Sequence, residues 1–197
     1  MSHALLDDPP VTILDFDAFL AVQGDETLWE LVAGQIVAMT NPTELHEQIV
    51  GNIGVPLRLW MEARDCRVYF GGMRVQRSDN AGAVDKPRPD LLVRCGQATA
   101  RNYVTDPLVV VEVLSPSTMD TDRGSKLAFY KRLPTLRHIV LVYQDQIRAE
   151  HYRRTDLGWE LETLTVSADQ LVLDAVQFKM TLADAYIGAI PGGQTPR

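Results

Sequence analysis

The sequence predicts a mixed α/β fold in which helices flank a central β-sheet carrying added β hairpins. Three observations lead there. The run Leu108-Val109-Val110-Val111-Glu112-Val113-Leu114 is almost continuously apolar, as in a strand covered on both faces. Over 44–64, Leu45, Ile49, Ile53, Leu57 and Trp60/Met61 recur every three or four residues, which gathers them on one buried face of a helix. Strand-like segments precede and follow each main helix, the alternation expected of chains that mix both element types.

Taken in order, residues 14–22 offer Leu14, Phe16, Phe19 and Leu20 for burial on an amphipathic turn or two. Segments 28–32 and 35–40 flank Ala33-Gly34, a two-residue hairpin turn with glycine inside it. Pro56 is expected to kink or break the long helix of 44–64. Segments 67–70 and 73–77 read as short strands around Gly71-Gly72, 78–88 as a polar loop and 89–95 as a strand. Ser115-Pro116-Ser117 ends the strand of 107–114, and Ser117 or Thr118 caps a helix that runs to Leu133 and stops at Pro134. Asp120 and Asp122 read as capping and dipole partners, Ser117 and Asp120 standing at capping-box spacing. Segments 137–143 and 147–154 form a strand pair, 159–166 and 172–178 edge strands, and 181–187 a closing helix. Residues 12–187 are expected to form one domain, with 1–11 and 188–197 as flexible termini rich in Pro, Gly and polar groups.

A chain of 197 residues with 46% hydrophobic and 23% charged side chains has ordinary soluble usage. That excludes a disordered tail, a collagen-like repeat and a supercharged nucleic-acid coat. The net charge of −7 repels polyanions overall, so a nucleic-acid role calls for a local basic face or a metal-bridged site. Between Asp120 and Arg154 eight basic residues meet four acidic ones, a local +4 that leaves −11 elsewhere. The segment is either such a face or a solvated helix face plus hairpin. Cys66 and Cys95 read as reduced residues of a cytoplasmic protein. No secretory signal is visible at the N-terminus. The most apolar run is seven residues with Glu112 inside it, against about 20 for a membrane span, so no membrane role is expected.

Glu112 is the residue to explain. A carboxylate in the middle of a buried strand must be neutralised, paired or bound to a metal, and strand alternation puts it on the face of Val110 and Leu114. Asp90 opens the preceding strand, and if the two strands pair, two carboxylates converge. Such a pair suits a hard, oxygen-preferring cation, Mg²⁺ or Mn²⁺. Lys126 shares a helix face with Tyr130 and Leu133, and that helix returns over the sheet. Two acids and a lysine around a divalent ion suffice for phosphodiester hydrolysis, the lysine orienting water or offsetting developing charge.

These residues stand in a recognisable order: Arg88-Pro89-Asp90, then Asp106-Pro107 through Glu112-Val113-Leu114-Ser115-Pro116-Ser117-Thr118, then Asp122-Arg123-Gly124-Ser125-Lys126-Leu127 and Tyr130. That order resembles the Uma-type restriction endonuclease family, a branch of the PD-(D/E)XK nucleases. Trp29 through Val37, His46 with Asn52, residues 138–154 and Trp159-Glu160-Leu161-Glu162 extend the resemblance to roughly residues 12–187. It implies a restriction-endonuclease-like core, Asp90 and Glu112 as metal ligands, Lys126 as the catalytic lysine, and Glu30 and His46 in support. It also implies nucleic acid, DNA foremost, as partner and a homodimer as the working form. One departure from the wider superfamily stands out: two residues after Glu112, where the lysine is normally found, lies Leu114, so the helix must supply it.

The alternative function is a non-catalytic nuclease-fold protein acting in binding or assembly, with Glu112 as a buried ion-pair partner. Ser115 and Ser117 lack the Gly-x-Ser-x-Gly elbow of an esterase. Cys66, Cys95, His3, His46, His138 and His151 show no zinc-ligand spacing. No glycine-rich phosphate cradle is present.

Overall fold

The computed structural model describes residues 9–23, 27–39, 41–116 and 118–189. In chain order the elements are α1 (Ile13–Val22), β1 (Trp29–Val32), β2 (Gln35–Ala38), α2 (Glu44–Met61), β3 (Cys66–Phe70), β4 (Arg74–Val75), β5 (Leu91–Cys95), β6 (Tyr103–Val104) and β7 (Val109–Leu114). There follow α3 (Met119–Thr121), a π-helical turn (Asp122–Lys126), α4 (Leu127–Lys131), β8 (His138–Tyr143), β9 (Ala149–Thr155), β10 (Gly158–Leu164), β11 (Gln170–Leu173), a 3₁₀ turn (Asp174–Val176), β12 (Phe178–Thr181) and α5 (Leu182–Ala185). Of the flexible termini expected from the sequence, 1–8 and 190–197 lie outside the described residues, as does the Ser117 cap.

Six strands form a mixed sheet in the order β10-β9-β8-β7-β5-β3. Within it only β7 and β8 run parallel; the other neighbours are antiparallel, β8–β9 and β9–β10 as hairpins. All six residues of β7 and all six of β8 are buried, as the near-continuous Val/Leu runs predict for central strands. Alternation along β7 divides the core. Val109, Val111 and Val113 pack with Ile49, Ile53 and Leu57 of α2 and with the β11–β12 hairpin. Val110 and Leu114 face Leu127, Phe129 and Tyr130 of α4.

The β1–β2 turn at Ala33-Gly34 has positive φ at both residues, 50° and 76°, the geometry that matches strand twist and favours glycine. A bridge from Leu31 to Lys86 docks this hairpin beside the sheet. At Gly54 any Cβ would collide with the Phe70 ring, which lets α2 lie close to β3.

Four expectations need correction. Pro56 does not break α2, which runs through it from Glu44 to Met61. It sits on the exposed side while Ile53 and Leu57 anchor the helix in the core. The strand read over 172–178 is two strands, β11 and β12, joined through the 3₁₀ turn and Gln177 in the left-handed region. Asp122 is not an exposed capping partner but a buried side chain, and Thr118, the N-cap residue of α3, makes no side-chain bond to the helix. Cys66 and Cys95, expected as reduced thiols, are joined in a disulfide. They stand directly opposite each other in the β3–β5 register, a proximity that 29 residues of separation conceal. Among the described residues no helix is long and apolar enough to cross a membrane.

Candidate active site

The β5–β7 register pairs Leu91 with Val111, so one step further Asp90 lies opposite Glu112. The ladder ends there. The Val113 N–H, which a continued β5 would have engaged, donates to Asp90 Oδ2 at 2.7 Å. This bond fixes the carboxylate at the strand end, as backbone N–H groups seek a partner when buried. His46, in the first turn of α2, reaches the same oxygen with Nε2 at 3.2 Å. Burial alone would lower the His46 pKa, but the Asp90 hydrogen bond and charge outweigh it and the net direction is upward.

Glu112 projects from the centre of β7 to the α4 side and is 3% exposed. Its Oε1 accepts from the Tyr130 hydroxyl at 2.6 Å and forms an ion pair with Lys126 Nζ at 2.9 Å. Lys126 also meets Asp122 Oδ1 at 3.0 Å and Glu30 Oε2 at 3.3 Å. One ammonium is thus paired with three carboxylates. Glu30 comes from β1, its Oε2 also accepting the Arg88 N–H at 3.1 Å. The docked hairpin thus closes the third side of the cluster.

Asp122 and Lys126 open and close a π-helical turn. In it the Leu127 N–H reaches back to the carbonyl of Asp122, one residue beyond the α-helical partner. Asp122 and Lys126 both point inward while Arg123, Gly124 and Ser125 stay exposed.

Acids outnumber cations in this cluster, and the ionisation shows it. Burial pushes the Glu112 carboxyl well above the ordinary range; Lys126 pulls it down, while Asp122, Asp90 and Glu30 push it up further. Burial works against the Lys126 ammonium, yet Glu112, Tyr130, Glu30 and Asp122 together raise its pKa well above normal. Burial and then Glu112 raise the Tyr130 phenol, so the hydroxyl remains a donor. The lysine therefore stays charged and Glu112 carries the strain of the excess negative charge.

The five residues singled out from sequence thus fall into two contacting groups. Lys126, Glu112 and Glu30 touch; Asp90 and His46 touch; no hydrogen bond or ion pair links the two groups among the described residues, although the Asp90 charge is felt at Glu112. Asp122 belongs to the cluster and was read from sequence as a cap, although its i, i+4 spacing to Lys126 was a usable signal. Tyr130 was placed on the Lys126 face without its bond to Glu112.

The donor set fits a hard divalent cation. Among the described residues the hydrogen bonds go to Asp90 Oδ2 and Glu112 Oε1 and none to Asp90 Oδ1 or Glu112 Oε2, and the surplus negative charge is of the kind a divalent ion offsets. No group of three or more His, Cys, Asp or Glu side chains among the described residues is arranged to hold a metal. Water and substrate oxygens would complete the shell, as is usual for Mg²⁺.

Comparison with known proteins bears on the family and the fold. The family model Uma2, described as "Putative restriction endonuclease", matches residues 15–184. An uncharacterised protein of Synechocystis sp. (strain ATCC 27184 / PCC 6803 / Kazusa) is 27% identical over 161 residues, 81% of this chain and 83% of the relative. A second from the same strain is 26% identical over 140 residues, 68% of this chain and 77% of the relative. A crystal structure from Anabaena variabilis ATCC 29413, described as a putative nuclease belonging to DUF820, aligns with a TM-score of 0.73 at 17% identity. The alignment covers 92% of this chain and all of that one; at that identity the likeness bears on the fold alone.

Proposed function

Since the chain belongs to the Uma2 family of restriction-endonuclease-like proteins, we propose that it is a Mg²⁺- or Mn²⁺-dependent endonuclease hydrolysing phosphodiester bonds of nucleic acid, DNA foremost. The observation that carries this reading is the carboxylate surplus around a single buried lysine, with Asp90 held opposite Glu112 by the Val113 N–H. A divalent ion held by Asp90 and Glu112 would polarise the phosphoryl group and lower the pKa of water.

The chain's own residues prepare that site. The Val113 N–H and His46 fix Asp90. Tyr130 and Lys126 hold Glu112 Oε1 and leave Oε2 to face a cation. Lys126 is first a positioning residue, because it is paired with three carboxylates. Its ammonium, beside Glu112, would also offset negative charge developing on a phosphate. The reading also takes residues 12–187 as one restriction-endonuclease-like unit and a homodimer as the working form, the latter checked by sedimentation. A cytoplasmic setting would require Cys66 and Cys95 to be reduced.

The test is a calorimetric Mn²⁺ titration of wild type and Glu112→Gln, with and without a short DNA duplex. Binding by wild type and none by the variant is the expected result and justifies a cleavage screen. No binding by either, even with DNA, removes the centre of the mechanism. One observation favours a second reading, a non-catalytic nuclease-fold protein acting in binding or assembly: Lys126 is paired with Glu112, Asp122 and Glu30, as in a structural ion cluster. Under that reading Mn²⁺ does not bind and Glu112→Gln lowers stability.

A further inference from the structure

A second buried carboxylate lies in the same row of the sheet. Glu112 stands beside Leu141 of β8, and Leu141 beside Glu150 of β9, all three on one face. At about 4.8 Å between neighbouring strands, Glu150 is about 10 Å across the sheet from Glu112. Its side chain is 2% exposed, and four donors surround it. Oε1 accepts from Arg123 at 3.1 Å, Arg148 at 3.0 Å and the Tyr143 hydroxyl at 2.9 Å, and Oε2 from the Tyr152 hydroxyl at 3.2 Å.

The two arginines are not consumed by this contact. Each guanidinium has five N–H donors and gives one to Glu150; no other side-chain hydrogen bond is made by either among the described residues. Their side chains are 46% and 35% exposed, and Arg148 lies over the Tyr143 ring. Elsewhere in the basic segment Arg132 is paired with Asp85, Arg153 with Glu160 and Asp174, and Arg154 with the carbonyls of Lys131, Leu133 and Leu136. Lys131 lies over the Tyr152 ring, and Arg137 is exposed, with no carboxylate gathered beside it as Glu150 is among the described residues.

We propose that Arg123 and Arg148, gathered by buried Glu150, form a second phosphate-binding subsite that takes a backbone phosphate of the nucleic-acid strand entering the Asp90–Glu112 site. Two planar forks held side by side suit a phosphate better than a lone lysine does. A strand carries a phosphate per about 3.4 Å of axial rise, so a site about 10 Å away meets one within a few nucleotides. Arg123 lies in the same π turn as Lys126, which couples the subsite to the site through one short backbone segment. The assignment of a nucleic-acid strand rests on the function proposed above; the phosphate chemistry alone could equally draw a free phosphate ion, and the experiment separates these.

Duplex binding is measured by fluorescence anisotropy over a salt series without divalent metal, so that no cleavage intervenes. Arg123→Gln/Arg148→Gln is expected to weaken binding at least about tenfold and to lower the slope of log affinity against log salt by about two. Arg153→Gln, on the same strand but the opposite face, is expected to change neither. Because the double variant leaves Glu150 buried without its cations, a triple variant adding Glu150→Gln is measured too, its folding checked by thermal unfolding. In parallel, the Nε–Hε resonances of Arg123 and Arg148 are followed by NMR as inorganic phosphate is added. Folded variants that bind duplex as wild type does overturn the subsite and leave the nuclease reading standing on its Mn²⁺ titration. If wild type binds no duplex but inorganic phosphate shifts both arginine signals, the subsite stands as a free-anion site and the nucleic-acid reading falls. If neither duplex nor phosphate is felt, the subsite is overturned.

Discussion

Glu112 and Glu150 stand in one row, on one face of one sheet, with Leu141 between them, yet their surroundings are inverse. Around Glu112 three further acids are felt against one ammonium, and its carboxyl is pushed well above the ordinary range, by burial first. Around Glu150 two guanidinium groups and two phenols converge. Burial still works against its charge, but the hydrogen bonds of Tyr143 and Arg148 and the Arg123 charge outweigh it and hold the carboxyl below the ordinary range. Both side chains are almost free of solvent exposure, yet Glu112 is short of positive charge where Glu150 is saturated with donors. Burial raises both carboxyls; the tally of neighbours then decides the net direction, and with it whether the carboxylate awaits a cation or anchors several.

This contrast can be broken at four points. Lys126→Met leaves Glu112, Asp122 and Glu30 facing one another in the interior and is expected to cost about 3–5 kcal/mol in chemical denaturation. Survival with less than about 1 kcal/mol lost would mean that the cluster takes up protons freely. Glu150→Gln removes the acceptor of two cations that water can still reach, with an expected loss of about 2 kcal/mol. Glu112→Gln has the opposite sign: Asp122 and Glu30 still hold Lys126, so the metal-free variant is expected to gain about 1 kcal/mol, a rise in Tm of about 2–4 °C. A fall in Tm would make Glu112 the structural partner of Lys126 and remove the contrast. The smallest effect is a divergence with pH. Glu112 has a raised folded-state pKa, so its stabilisation is complete below the ordinary carboxylate pKa and is lost as the pH rises. Glu150 has a lowered one, so its stabilisation is present above that pKa and is lost as the pH falls. Denaturation midpoints of the two Gln variants should converge toward wild type in acid. Toward neutrality Glu112→Gln should move ahead of wild type and Glu150→Gln behind. Parallel profiles would refute the inverse surroundings.

Much of the fold was legible because its signals are local. The Val/Leu run of β7, the three-and-four spacing on α2 and the Ala33-Gly34 turn each specify an element without knowledge of its partners. The convergence of Asp90 with Glu112 followed from pairing two adjacent strands. What escaped depends on which distant segments meet. The two-residue strands β4 and β6 exist through their mutual parallel pairing, and Tyr103–Val104 carries no pattern of its own. The left-handed Gln177 divides an apolar stretch that reads as one strand. Asp122 was assigned to the helix end with Asp120 because it stands near the helix start, whereas a buried lysine four residues on holds it. Glu150 counted only as one acid diluting a basic segment; its role appears once β8 and β9 carry it into the row of Glu112.

The π turn over Asp122–Lys126 also gives the chain slack in length. A helix that holds one residue more than its rise requires stores that residue as a bulge. Deleting Gly124, one of the exposed residues of the turn, removes the stored residue and lets the segment relax to plain α-helix while its flanks keep their faces. Asp122 and Lys126 then stand three apart instead of four, still neighbours on the helix surface. The loss of a single codon in the turn is therefore absorbed, whereas the same loss in α4, where no residue is stored, turns everything on one side of the cut by about 100°.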